Sequence, residues 1–93
     1  MSNYDIKDRS YRIAKYHGLT IVPSHKPKYK IDAYYKGEFI DSFGANGYSD
    51  YPTYIEEYGK KYADYRRELY LKRHPINYPK FSPDWLSKEI LWS

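Results

Sequence analysis

The sequence predicts an α+β domain: a small three-stranded antiparallel sheet with an N-terminal helix, a long tyrosine-striped helix and a short C-terminal helix. Three observations predict it. The side chains of residues 29–35 alternate between a mostly apolar set and a set that contains Lys30 and Asp32, which is the pattern of a strand. Tyrosines recur at helical spacing from position 54 to position 65. Residues 49–52 and 82–84 each combine a capping side chain with a proline, a pattern typical of helix starts.

The first helix is predicted over residues 4–17. Ser2 or Asn3 is expected to cap its N-terminus, because their side chains can accept a hydrogen bond from the first turn. Gly18 is expected to end it. Its apolar stripe would consist of Ile6, Ile13 and Ala14.

Three short strands are expected next, at residues 19–22, 29–35 and 38–43, with Pro23 ending the first and Lys36-Gly37 turning the chain between the last two. One face of the middle strand would carry Tyr29, Ile31, Ala33 and Tyr35, and the other Lys30, Asp32 and Tyr34.

Two registers are compatible with this hairpin. A two-residue loop would pair Ala33 with Ile40. A three-residue loop, with Gly37 in the left-handed region, would give two other pairs: Tyr35 with Phe39 and Ile31 with Phe43. We expect the second register, because it places both phenylalanines with the apolar face.

A long helical segment is predicted after Asp50, which is expected to cap it with Pro52 in the first turn. Gly59 can break this segment into a short helix and a longer one, and Pro75 would stop it. We expect its tyrosine stripe to belong to the core; it contains Tyr54, Tyr58, Tyr62, Tyr65 and Leu69. A final helix begins at Ser82-Pro83, and its apolar residues are Trp85, Leu86, Ile90, Leu91 and Trp92.

Composition limits the classes of function. The chain has 93 residues, which predicts one domain over 1–93. It has no cysteine, which excludes disulfides and thiolate metal sites. No apolar run is long enough for a membrane span, and the polar N-terminus argues against secretion. A net charge of +4 favours approach to a phosphate backbone or an acidic protein surface.

Motifs of catalysis are absent from the sequence. The three histidines lack metal-ligand spacing, and neither a phosphate-binding glycine loop nor a Gly-x-Ser-x-Gly elbow occurs. Asp50 could be an acid or a ligand, but Asp-x-Pro favours a helix cap. We therefore expect no enzyme, no cofactor and no metal.

Fourteen tyrosines are several times the ordinary number for a chain of this length. Those on the hairpin could form a stacking platform, with neighbouring lysines contacting phosphates. Surface tyrosine with arginine is equally typical of protein interfaces. The candidate contact residues for nucleic acid or another partner are Lys26, Lys28, Lys30, Tyr34, Lys36, Arg66, Arg67 and Arg73.

Several short segments, in this order, carry a family likeness: residues 18–24, the lysines before Ile31, Gly37, and then residues 43–45, 47–51, 62–64, 66–67, 73–74 and 82–92. Through them the chain resembles a family of small uncharacterised proteins encoded by large DNA viruses, of the nucleocytoplasmic type, and related marine viral sequences. The resemblance implies a viral origin. It implies that a feature shared by the family would lie at residues 44–51, Arg66, Arg67, Arg73 and Trp92. The alternative is that these residues only fix the fold.

The function predicted is a non-enzymatic, virus-encoded binding protein that associates with DNA or RNA through the basic, tyrosine-bearing hairpin. The alternative is a structural virion component, a minor capsid or tegument-like protein that contacts other viral structural proteins. A small modulator of a host protein is a third class. The expected location is the virion or the infected-cell cytoplasm or nucleus, without secretion and without a membrane. The sequence predicts no oligomeric state.

Overall fold

The computed structural model describes residues 3–74 and 77–93. Its elements are α1 (Asp8–Tyr16), β1 (Leu19–Pro23), β2 (Tyr29–Tyr35), β3 (Glu38–Ala45), α2 (Tyr51–Tyr58), α3 (Lys60–Arg73) and α4 (Pro83–Leu86), and a π-helical segment (Ser87–Leu91) continues α4. The strands form one antiparallel sheet with β2 in the centre. The predicted α+β class is confirmed.

Helix α1 begins later than predicted. Lys7 precedes its first turn, and no side chain caps it, so the prediction that Asn3 is the cap is wrong; Ser2 lies outside the described residues. The residues before the helix are held by tertiary contacts instead. Ile6 is buried in the core, and the Tyr4 hydroxyl donates to Asp50 at 2.6 Å. At the other end, Gly18 follows with a φ of +74°, as expected of a helix stop.

The β2–β3 hairpin has the two-residue loop, yet the pair expected at its far end, Ile31 with Phe43, is present. Lys36 and Gly37 have φ values of 51° and 82°, which suit a two-residue turn that places Tyr35 opposite Glu38. The predicted three-residue loop is therefore wrong. A bulge between Ala33 and Tyr34 then shifts the register by one residue. The shift restores one predicted pair and not the other: Ile31 faces Phe43, but Phe39 faces Tyr34.

The core lies between the sheet, α1 and the C-terminal helices. Its buried residues are Ile6, Ala14, Leu19, Ile21, Ile31, Ala33, Phe43, Leu86, Ile90 and Leu91. Ile13, Trp85 and Trp92 pack against it partly buried. All residues predicted for the two apolar stripes therefore belong to the core or pack against it, but Ile6 precedes α1 and Trp92 follows the π-helical segment. The caps of α2 and α4 are also as predicted, since Asp50 accepts from the Thr53 amide and Ser82 from the Trp85 amide.

The tyrosine stripe is outside the core, contrary to expectation. Tyr58, Tyr62 and Tyr65 are 63%, 41% and 55% exposed. Gly59, with a φ of +91°, ends α2 and precedes α3, so the helical spacing counted across it does not describe a single helix face. Helix α3 buries Ala63 and Tyr70 instead. It ends at Arg73; Pro75 lies outside the described residues.

Candidate functional site

The outer face of the sheet is organised around a buried carboxylate. Asp32 is 1% exposed. Its Oδ1 accepts hydrogen bonds from the hydroxyls of Ser24 and Ser42, both at 2.6 Å. Its Oδ2 accepts from the His25 amide at 3.0 Å and also contacts His25 Nδ1. These bonds join β2 to the β1–β2 loop and to β3.

These contacts fix the charge of the cluster. Burial alone raises the pKa of Asp32, but the hydrogen bonds from Ser24, Ser42 and His25 outweigh it and lower this pKa to about 2. The side chain is therefore a carboxylate at neutral pH. Because Nδ1 of His25 faces this carboxylate, Nε2 is the ring nitrogen left for solvent or a ligand, and the side chain is 59% exposed.

Beside this cluster the Phe39 ring contacts two other rings, each edge to face. The ring centroids of His25 and Phe39 are 5.8 Å apart, and those of Tyr34 and Phe39 are 5.6 Å apart. Phe39 is 44% exposed although it lies within a strand. The β-bulge brings Tyr34 directly opposite Phe39. We call His25, Tyr34 and Phe39 the ring platform.

Three of the predicted lysine contacts are exposed near the two ends of β2. Lys26 and Lys28 lie in the β1–β2 loop, and Lys36 lies in the β2–β3 turn. Lys26 Nζ is 5.9 Å from the Tyr29 ring centroid, and Lys36 Nζ is 5.4 Å from that of Tyr35. None of these lysines forms an ion pair with a carboxylate among the described residues.

Lys30, by contrast, is not placed for the phosphate contact predicted from the sequence. It is 4% exposed, and its Nζ donates to Asp50 Oδ2 at 2.8 Å. Asp50 is also the N-cap of α2, so its carboxylate links Lys30 to the start of that helix. The same carboxylate accepts from the Tyr4 hydroxyl, and burial together with this charge raises the pKa of Tyr4. Lys30 and Asp50 therefore form a structural ion pair.

The three predicted arginines lie on α3, distant in sequence from the ring platform, and the structure separates Arg67 from the other two. Arg67 lies over the Tyr51 ring at 4.4 Å and is 3.8 Å from Asp64. Arg66 lies over the Tyr54 ring at 5.3 Å. Arg66 and Arg73 line a cleft that contains no residue of the ring platform.

This arginine cleft has a volume of about 580 Å³ and is formed by α3, the β3–α2 loop and the C-terminal segment. Its lining residues include Lys30, Tyr48, Ser49, Tyr54, Arg66, Tyr70, Arg73, Asp84, Ser87 and Trp92. Trp92 stacks on Tyr70 with centroids 4.6 Å apart and planes within 5°. Tyr70 stacks in turn on His74 at 4.0 Å, and burial raises the pKa of Tyr70 to about 12.

Gly44 is required where β3 passes the cleft. Its φ is +78°, and a Cβ there would lie 2.7 Å from Leu91 Cδ1 and 3.2 Å from Lys30 Cδ. The buried Lys30 stem thus occupies the space that a side chain at position 44 would need. Residues 44–51 are part of the sequence resemblance. At Gly44, the first of them, the close approach of Leu91 and Lys30 is a structural reason for glycine.

Sequence reasoning missed the central members of the ring platform. Phe39 was expected on the apolar face, and His25 was considered only as one of three histidines without metal-ligand spacing. Their proximity depends on the bulge, which pairs Tyr34 with Phe39 five positions away, and on the Asp32 contact, which joins residues seven positions apart. The signal that could have found them is Ser24-His25 preceding Asp32 across a short hairpin.

Within residues 3–74 and 77–93, no group of three or more histidine, aspartate or glutamate side chains is placed to hold a metal ion. No helix in the described part of the chain has the length and apolar character needed to cross a bilayer. In comparisons with known proteins, no family model, no curated protein and no solved structure matches this chain.

Proposed function

We propose that this chain is a non-enzymatic binding protein for single-stranded DNA or RNA, and that the ring platform is its contact surface. The observation that carries the proposal is the adjoining set of three rings on the outer face of the sheet, with Phe39 44% exposed. An exposed aromatic side chain can stack on a nucleobase of any sequence, because every base has a π-face.

The Asp32 cluster supports this role by holding one of the rings in place. His25 is fixed through both its backbone amide and Nδ1, so it loses little conformational freedom when a base stacks on it. Tyr34 and Phe39 belong to paired strands, which are rigid supports for a contact surface.

The exposed lysines support contact with the phosphates of such a strand. Lys26 and Lys28 lie at one end of β2 and Lys36 at the other, and no described carboxylate pairs with them. A bound strand could therefore cross the sheet with phosphates near both ends of the platform.

A titration with a fluorescein-labelled single strand, at about 50 mM salt, tests the proposal. We expect saturable binding that weakens as salt rises, with a log–log slope of about −2, because three lysines would each contribute roughly −0.7. A flat titration would overturn it.

Two pairs of variants assign the surface. Phe39→Ala is expected to weaken binding roughly tenfold, since one base–ring contact contributes about 1–3 kcal/mol. Tyr16→Ala is the matched control, because Tyr16 is 85% exposed and lies on α1. Lys28→Ala should reduce the salt dependence, whereas Lys61→Ala, on α3, should leave it unchanged.

A specific observation favours the second candidate, a structural protein of a virus particle. The tyrosine row, Tyr54, Tyr58, Tyr62 and Tyr65, places successive rings 5.1–6.2 Å apart on the surface of α2 and α3. Exposed tyrosines of this kind are common at the centre of protein interfaces. The viral setting rests on the sequence resemblance alone.

This second candidate is tested by mass spectrometry of purified particles. A structural component would be recovered in a fixed ratio to other shell proteins and outside the genome fraction. Absence from particles would eliminate it, while leaving the nucleic-acid proposal to the titration above.

A further inference from the structure

We infer that the arginine cleft binds a nucleoside phosphate of about mononucleotide size. This inference does not depend on the ring platform, because the two surfaces share no residue. It rests on the charge, the aromatic lining and the volume of the cleft.

The charge available to a ligand in the cleft is positive. Lys30 is neutralised by Asp50, which leaves Arg66 and Arg73 facing the single carboxylate of Asp84. Neither arginine has a hydrogen bond or ion pair to an acceptor within residues 3–74 and 77–93. Two guanidinium groups without acceptors around one cleft favour an anionic ligand.

Arg66 is held in place without being neutralised. Its guanidinium lies over the Tyr54 ring at 5.3 Å, and its Nε is buried without an acceptor in the described part of the chain. This cation–π contact holds the group against Tyr54 while its charge stays uncompensated. A planar guanidinium matches the oxygen atoms of a phosphate better than an ammonium group does, because it can donate two parallel hydrogen bonds.

The aromatic lining favours a nucleoside over a bare phosphate ion. Tyr48 is 76% exposed at the cleft although it is a large aromatic residue. Trp92 is kept in place by its stack on Tyr70, so it offers a rigid edge rather than a mobile one. A planar base can lie against Tyr48, with the phosphate directed towards the arginines.

The volume and the remaining polar groups agree with this assignment. A cleft of about 580 Å³ exceeds what a phosphate ion needs and lies within the range of roughly 300–1,000 Å³ for small-molecule sites. The hydroxyls of Ser49 and Ser87 can donate or accept hydrogen bonds, and the carboxylate of Asp84 can accept them from a sugar or a base edge.

Calorimetric titration of the full chain with AMP, GMP, CMP and UMP tests the inference, with adenosine and inorganic phosphate as partial ligands. We expect at least one mononucleotide to bind more tightly than either partial ligand. Arg73→Ala should weaken that binding at least about tenfold, because a hydrogen-bonded charge is removed. Lys72→Ala, which removes an exposed neighbouring charge outside the cleft, should leave it unchanged.

Tyr48→Ala provides a second variant at an exposed position, where folding is not at risk. It should weaken binding of the mononucleotide and leave binding of inorganic phosphate unchanged. Failure of the cleft and failure of the ring platform are distinguishable, because Arg73→Ala and Tyr48→Ala alter the cleft, whereas Phe39→Ala alters the ring platform. A 5′-phosphorylated oligonucleotide that loses affinity in Arg73→Ala, while free mononucleotides bind poorly, would assign the site to a strand end.

Three results would overturn the inference. The first is no binding of any mononucleotide or phosphorylated strand at ligand concentrations of about 10 mM. The second is binding that Arg73→Ala and Tyr48→Ala leave intact. The third is inorganic phosphate binding as tightly as every mononucleotide, which would leave the aromatic lining without a role.

Discussion

Lys30 Nζ lies 2.8 Å from Asp50 Oδ2, and the two side chains are only 5% and 1% exposed. This ion pair joins the central strand to the N-terminus of α2. The Tyr4 hydroxyl, from the segment before α1, donates a hydrogen bond to the same carboxylate. Three parts of the chain that are distant in sequence thus meet at one buried charge.

Removing one partner of this pair should be costly. Lys30→Met leaves the Asp50 carboxylate buried without its cation, so we expect a loss of about 3 kcal/mol in the free energy of unfolding at pH 7. Urea denaturation followed by circular dichroism measures it. Lys61→Met is the control, because Lys61 is exposed, and it should change stability by less than about 0.5 kcal/mol. Equal effects of the two variants would contradict the structural role of Lys30.

Asp32 should make the protein sensitive to acid. Its pKa is lowered to about 2 in the folded chain, below the ordinary value of 3.8. A carboxyl with a depressed pKa contributes stability that is present above pH 4 and is lost as the pH falls through 2; here the contribution is about 2 kcal/mol.

Asp32→Asn lacks this contribution at every pH. Its deficit in unfolding free energy, relative to the unmodified chain, should therefore shrink by about 2 kcal/mol between pH 6 and pH 2. Glu57→Gln, at an exposed position, should show no such change. A deficit for Asp32→Asn that is constant over this range would contradict the hydrogen-bonded carboxylate.

Gly44 and Gly47 provide a matched pair for the cleft wall. Both have positive φ, +78° and +93°, but a Cβ at position 47 would meet nothing within 4 Å. Gly47→Ala should therefore cost only backbone strain, about 1 kcal/mol. Gly44→Ala adds overlap with Leu91 and Lys30 and should cost at least about 1 kcal/mol more. Equal losses of unfolding free energy in the two variants, measured by urea denaturation, would mean that Leu91 and Lys30 move aside without cost.

The tyrosines should divide into two classes by stability. Tyr70 is 8% exposed and stacks on Trp92, so Tyr70→Ala is expected to cost about 3 kcal/mol. Tyr58 is 63% exposed, so Tyr58→Ala should cost less than about 0.5 kcal/mol. Thermal and urea denaturation of the two variants check this division. A large loss of unfolding free energy in Tyr58→Ala would contradict the placement of the tyrosine row outside the core.

The sequence was informative where local chemistry decides the structure. The caps at Asp50 and Ser82, the stop at Gly18 and the break at Gly59 each depend on a few neighbouring residues, and each was predicted. The alternation of residues 29–35 likewise located the central strand. These signals were sufficient for the α+β class.

Prediction failed where distant contacts decide. Helix α1 begins later than predicted because Tyr4 and Ile6 contact residues elsewhere in the fold. Lys30 was expected to contact phosphates because it shares a strand face with Asp32 and Tyr34, opposite the apolar residues, and only the approach of Asp50 buries it. The bulge that joins Tyr34 to Phe39 has no local signature strong enough to decide the register. The ring platform and the arginine cleft both depend on contacts of this kind.

A two-dimensional NMR titration of the full chain with a short unlabelled single strand would test the proposed nucleic-acid surface residue by residue. We predict that the largest amide shift changes occur at His25, Tyr34 and Phe39, with smaller ones in the β1–β2 loop and the β2–β3 turn. These changes should weaken together in Phe39→Ala. Shift changes confined to α2 and α3, or none at saturating strand, would contradict the assignment of the ring platform as the binding surface.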